Sequence, residues 1–269
     1  MESTESMIDK LFFRMDDWRH LPSYQLERRA DLFFSLYIPE VISNIFGCEV
    51  KEKLIPEFPV KLSIIYKNRI KNDDSFVAEK YNLDSNQSVK IDYVAITENH
   101  ETALLIELKT DKNSIKPNQI KNLIYSGDKF PDLIRGIQDI YCNSASDSIY
   151  REKYHCLLNM LDDMGLFGET GVFKEAYRDR KNYADLSNRV SSFEPTSDIE
   201  MKKVYIAPTK TDCSLIKENG IKIITFIDFI ENVNKVSDMD YLSVRFFRSL
   251  KAWDETDAGG KKYSEFAGI

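Results

Sequence analysis

Two carboxylates and an ammonium recur at a spacing that could do chemistry. Glu107 and Lys109 stand two residues apart in ALLIELKTD (103–111), and Asp92 in VKIDYVAI (89–96) is separated from Glu107 by fourteen residues. Carboxylates brought within a few ångströms repel one another unless a cation lies between them. A hard divalent ion such as Mg²⁺ takes one or two carboxylates and leaves its other positions to water and phosphate oxygens. It acidifies a bound water and stabilises charge on a phosphodiester under attack. A neighbouring lysine can orient or deprotonate that water and steady the anionic transition state.

Such chemistry needs rigid elements behind it. Along 103–111 the chain alternates, so Ala103, Leu105, Glu107 and Lys109 share one face while Leu104, Ile106 and Leu108 share the other. A strand apolar on both faces is normally central and covered on both sides. SVKIDYVAIT (88–97) and TALLIELKT (102–110) are strands, and ENH (98–100) is short enough to join them as an antiparallel hairpin. In that hairpin Asp92 can face the Glu107/Lys109 pair. VKLSIIYK (60–67) predicts a further strand ahead of them.

The remaining elements follow from periodicity and punctuation. Residues 23–47 predict a helix with Ser23 as N-cap, Gly47 as stop, and Pro39 kinking or dividing it. The stretch 72–87 is a polar loop. Helical patterns run from Pro117 to about Met164, with Pro117 and Pro131 at first-turn positions. Residues 165–198 mix helix and loop. MKKVYIAPT (201–209) and IKIITFIDF (221–229) are strand-like, and YLSVRFFRSLKAW (241–253) is a closing helix. The order predicts an α/β domain over 1–255, a mixed sheet flanked by helices, with a helical insertion at about 135–198 and a loose tail from 256 to 269.

Composition narrows the class. The chain of 269 residues is 42% hydrophobic and 30% charged, which suits one sizeable core. A net charge of −7 argues against a generally basic surface but leaves room for a local basic groove. Four cysteines, Cys48, Cys142, Cys156 and Cys213, show no CxxC spacing and read as reduced thiols. The polar, acidic start MESTESMIDK is unlike a signal peptide, and no apolar run could span a bilayer. The expectation is a cytoplasmic protein with no membrane partner. His20, His100 and His155 lack paired spacing, so a histidine zinc site is not expected.

With these residues in view, KIDYVAI…ALLIELKTD resembles the PD-(D/E)xK nuclease superfamily, the restriction-endonuclease-like enzymes. The resemblance covers about 40–130, with 200–230 as later strands. It implies a metal-dependent nuclease that uses Mg²⁺ or Mn²⁺. Asp92, Glu107 and the backbone carbonyl of Leu108 would be metal ligands, and Lys109 the catalytic lysine. Glu57 in PEFP (56–59) is a candidate further acid, and Glu27 and Glu40 on the first helix are its rivals. Gln119, opening the helix after the ExK strand, matches a Gln that the superfamily often has there. The Tyr that usually follows four residues later is Leu123 here, and the nearest tyrosine is Tyr125. The substrate implied is nucleic acid, DNA ahead of RNA. Lys112, Lys116 and Lys121 would supply local positive potential for its backbone.

Two other readings compete. Glu107 and Lys109 could be a buried structural ion pair, although such pairs are seldom net stabilising. The chain could also be a catalytically silent, nuclease-like binding or assembly module of a defence or mobile-element complex, as a homodimer or with a protein partner. The acidic net charge and the missing tyrosine favour that module; the intact Asp/Glu/Lys set argues against it. The aromatic and arginine-bearing stretch 173–193 could stack bases, or be a solvated helical face.

Overall fold

A computed structural model describes residues 3–19, 25–73, 75–77, 81–111, 116–145, 148–168, 173, 183–196, 198–233 and 240–256. Five strands form one mixed sheet: β1 (Ile55–Lys61), β2 (Ser88–Ile96), β3 (Thr102–Leu108), β4 (Glu200–Ala207) and β5 (Lys222–Thr225), in that spatial order. β1 and β2 run antiparallel, from Ile55 opposite Val94 to Lys61 opposite Ser88. The expected hairpin follows, closed by the Thr97 N–H donating to the Thr102 carbonyl at 3.0 Å, with His100 in the left-handed region at φ 58°. Two bonds show that β4 runs with β3. The Glu200 N–H donates to Glu101 O at 3.0 Å, and further along both chains the Lys109 N–H donates to Ile206 O at 2.8 Å. β5 is parallel to β4, with Val204 opposite Lys222. The α/β class and the helix-flanked mixed sheet therefore stand.

The chain divides into two compact units: Met1–Leu54, Ile106–Ile120 and Lys203–Ile269 in the first, Ile55–Leu105 and Lys121–Lys202 in the second. In the first, α1 (Thr4–Trp18) is capped by Ser3, whose side chain accepts from the Ser6 N–H. It packs on α10 (Tyr241–Glu255) through Asp16, which accepts from Arg245, Ser249 and the Trp253 indole. A helix this early is not among those expected from the sequence. α2 (Glu27–Phe46) buries Ala30, Phe34, Ile38, Val41 and Ile42 at helical spacing, and Gly47 ends it at φ 66°. Pro39 does not divide it. An interior proline costs about 3 kcal/mol, and here packing offsets it: Phe34, one turn before Pro39, sits against Phe226, Phe229 and Phe246. Ser23 lies outside the described residues.

IKIITFIDF is only half a strand. β5 stops at Thr225, and α9 (Phe226–Val233) begins at once, after the short α8 (Ser214–Glu218). The cause is a capping box. The Thr225 hydroxyl and N–H both donate to Asp228 Oδ2, and the Asp228 N–H returns to Thr225 Oγ1.

In the second unit VKLSIIYK is likewise not a strand. β1 ends at Lys61 and α3 (Leu62–Asn72) starts there, burying Ser63 and Ile65. A short apolar run fits either period, so pattern alone cannot separate them. Pro56 and Pro59 fall inside β1, which tolerates them as the edge strand. Helices α4 (Pro117–Ile124), α5 (Phe130–Cys142), α6 (Ile149–Asp163) and α7 (Tyr183–Ser192) follow, with Pro117 and Pro131 at helix starts as expected. Gln138 of α5 donates to the carbonyls of Val190 and Phe193, and Lys61 pairs with Asp139.

Candidate functional site

β3 has neighbours on both edges, and every residue from Ala103 to Thr110 is buried. Glu107 and Lys109 are each only 2% exposed, so water does not screen them. The Lys109 ammonium meets the Leu108 carbonyl at 2.8 Å, Glu107 Oε1 at 3.0 Å and Glu27 Oε2 at 3.2 Å. An ammonium carries three donors and no acceptor, which suits it to oxygens of this kind. Glu27 enters from the first turn of α2, and the other three groups come from the end of β3, so one helix and one central strand fix the arrangement.

The charges are unequal. Glu27, Glu107 and Lys109 together carry one net negative charge when ionised. These acceptors are two carboxylates and a backbone carbonyl, which is the donor chemistry that a hard divalent cation takes. The residues present fit such an ion in kind. Among the described residues, however, no group of three or more His, Cys, Asp and Glu side chains is gathered to hold one.

The other expected residues are placed as follows. Asp92 lies half-buried on β2 in the second unit. Pro56 pairs with Tyr93 and Phe58 with Ile91, so Asp92 and Glu57 fall at the same level of the β1–β2 ladder. Glu57 has a left-handed backbone at φ 50° and an exposed side chain paired with Lys90 at 2.7 Å. Holding a glutamate in that conformation costs about 1–3 kcal/mol. Gln119 is half-buried in the first turn of α4, its N–H donating to Lys116 O at 2.9 Å. Lys116 is exposed, Lys121 is half-buried on α4, and Lys112 lies outside the described residues.

Of the two acids on the first long helix, Glu27 is the one at Lys109. Glu40 acts instead on Tyr37. Burial first, then the Asp240 and Glu40 carboxylates, push the Tyr37 hydroxyl up against the opposing hydrogen bond to Ser243. Within the stretch 173–193, the Phe173 ring is enclosed and not free to stack a base, while 174–182 lie outside the described residues. Phe173 is 2% exposed and packs against Phe167 and Phe193. The four cysteines are free thiols, and burial pushes those of Cys142 and Cys213 up. No helix among the described residues is long and apolar enough to cross a membrane.

Comparison of the chain with protein-family models, curated proteins and solved structures returns no match.

Proposed function

We propose that this chain is a metal-dependent nuclease of the PD-(D/E)xK type, with a restriction-endonuclease-like core, that hydrolyses phosphodiester bonds of nucleic acid, DNA ahead of RNA. The observation that carries the reading is the buried ExK pair with its added acid: Lys109 held by Glu107, Glu27 and the Leu108 carbonyl at the end of a central strand. A purely structural role explains it poorly, because desolvating these charges costs several kcal/mol that an apolar pair would avoid.

In this reading Glu107, the Leu108 carbonyl and Glu27 would hold Mg²⁺ or Mn²⁺, and the family resemblance would add Asp92, with Glu57 in reserve. The bound ion would acidify a water and neutralise charge on the phosphodiester. Lys109, released from these oxygens when the ion takes them, would orient the attacking water and steady the phosphate in the transition state. Glu27 aims the Lys109 ammonium from α2, and Gln119 assists Lys109 or the substrate. Lys116 and Lys121, with Lys112, attract the phosphate backbone. Replacing Asp92 or Glu107 with Ala should abolish metal-dependent cleavage, with circular dichroism native for Asp92→Ala and a folded but less stable Glu107→Ala. Cleavage at the wild-type rate in either variant sinks the assignment.

A second reading is a nuclease-like binding or assembly module without cleavage of its own, working as a homodimer or with a protein partner. The acidic net charge and the leucine at 123, where the superfamily usually has a tyrosine, favour it. Calorimetric titration with Mn²⁺ separates the two, since the enzyme requires binding that Glu107→Ala removes and the module does not.

A further inference from the structure

In the second unit α3 and the residues after it build a feature outside the ExK pair. The rings of Phe76 and Tyr81 stack at 4.5 Å between centroids and 22° between planes, and Tyr66 lies beside both, 5.8 Å from Phe76 and 4.8 Å from Tyr81. The Arg69 guanidinium covers Phe76 at 4.2 Å and reaches towards the Tyr125 ring at 5.7 Å. The result is a ladder of π faces and one planar cation. Its outermost ring, Tyr81, is 39% exposed, and Ile70 and Val77 are each 45% exposed.

Cations surround this ladder. Lys67 and Lys71, one turn apart on α3, are both exposed. Asp73 pairs with Arg69 there. Its carboxyl is held below the usual range first by a Ser75 hydrogen bond, then by Arg69, which pairs with it at 3.2 Å, and by Lys121. Over 66–81 the sequence carries four cations, Lys67, Arg69, Lys71 and Lys80, against three acids, Asp73, Asp74 and Glu79, a small positive excess in a chain whose net charge is −7. Aromatic faces interleaved with Lys and Arg are what unpaired bases and their phosphates recognise: a base stacks on a ring or a guanidinium, and the lysines follow the backbone. Duplex DNA keeps its base faces inside and cannot use the rings.

We propose that Tyr66, Arg69, Phe76 and Tyr81, with Lys67 and Lys71, form a binding surface for single-stranded nucleic acid, with one base stacking on Tyr81. The surface rests on the nuclease reading only for the further step that the bound strand is also the substrate. Binding itself needs no metal and no cleavage.

The test is fluorescence anisotropy of the full chain with labelled single-stranded and duplex oligonucleotides, in EDTA, over a range of salt. The single strand should bind more tightly than the duplex. Tyr81→Leu, which keeps an apolar side chain but no ring face, should weaken it about 5- to 100-fold, and Tyr81→Trp should retain it. The double variant Lys67→Gln/Lys71→Gln leaves the rings alone and should reduce the salt slope by about 0.7 for each phosphate no longer neutralised. Three results would each overturn the proposal: no single-strand binding at about 100 µM protein, a preference for duplex, or unchanged affinity and salt slope in both sets of variants. Because metal is absent, failure here leaves the cleavage reading standing, and failure of cleavage leaves this surface standing.

Discussion

Lys109 Nζ lies 3.0 Å from Glu107 Oε1, with both side chains almost wholly buried at the end of a central strand. Removing Glu107 alone leaves the buried ammonium with Glu27 and the Leu108 carbonyl, and removing Lys109 alone takes from two carboxylates the cation they share. That relationship separates stability from function by experiment. Glu107→Leu should destabilise the fold by about 3–5 kcal/mol, because the ammonium loses its most buried carboxylate. The double variant Glu107→Leu/Lys109→Met should recover most of that loss in urea denaturation while staying inactive. A double variant no more stable than the single one would show that the pair is not coupled.

Glu27 offers a gentler probe. Its side chain is 31% exposed, so an ion pair there contributes little to stability, about 1 kcal/mol or less. Glu27→Gln should leave the melting temperature close to that of the wild type yet lower metal-dependent cleavage about tenfold or more, since a misaimed Lys109 loses orientation. Full activity in Glu27→Gln would remove Glu27 from the site.

His155 makes acid stability predictable in sign. Burial first, with the nearby Arg151 cation, lowers its pKa below the ordinary 6.5 against the opposing effect of its hydrogen bond to the Phe173 carbonyl. The fold therefore favours the neutral ring. Its contribution is fully present above about pH 6.5 and is lost as pH falls through the depressed folded value, because the unfolded chain takes the proton first. Urea midpoints should decline below about pH 6.5 less steeply in His155→Gln than in wild type. Identical slopes would mean that His155 is not the titrating group.

The junction of β5 and α9 depends on two side chains. Thr225→Ala should cost about 0.5–2 kcal/mol by removing the cap, with cleavage unaffected. Guanidinium unfolding reads the first and the nuclease assay the second. A variant as stable as wild type would show that α9 is held by Phe226 and Phe229 alone.

How legible all this was depended on the range of the interactions. The hairpin from 88 to 108 could be read because alternation and a short turn are local, and both strands and turn stand where the residues put them. That α2 runs on through Pro39 could not be read, because the aromatic residues that hold it come from 226, 229 and 246. The Thr225–Asp228 box was visible as T-F-I-D but was outweighed by a run of β-branched residues. At the site, the ExK pair was legible, and Glu27 was one of two equal candidates until α2 brought it to Lys109. The Tyr66–Phe76–Tyr81 stack gave no local signal, since its rings come from a helix and a polar loop.

The most direct test of the account is cleavage of linear DNA, circular DNA and RNA with Mg²⁺ or Mn²⁺, wild type beside Lys109→Ala. The account predicts metal-dependent cleavage of at least one substrate, reduced in the variant by about a hundredfold or more. Cleavage by Lys109→Ala at the wild-type rate would contradict it, as would a wild type that neither cleaves any of the three nor binds metal.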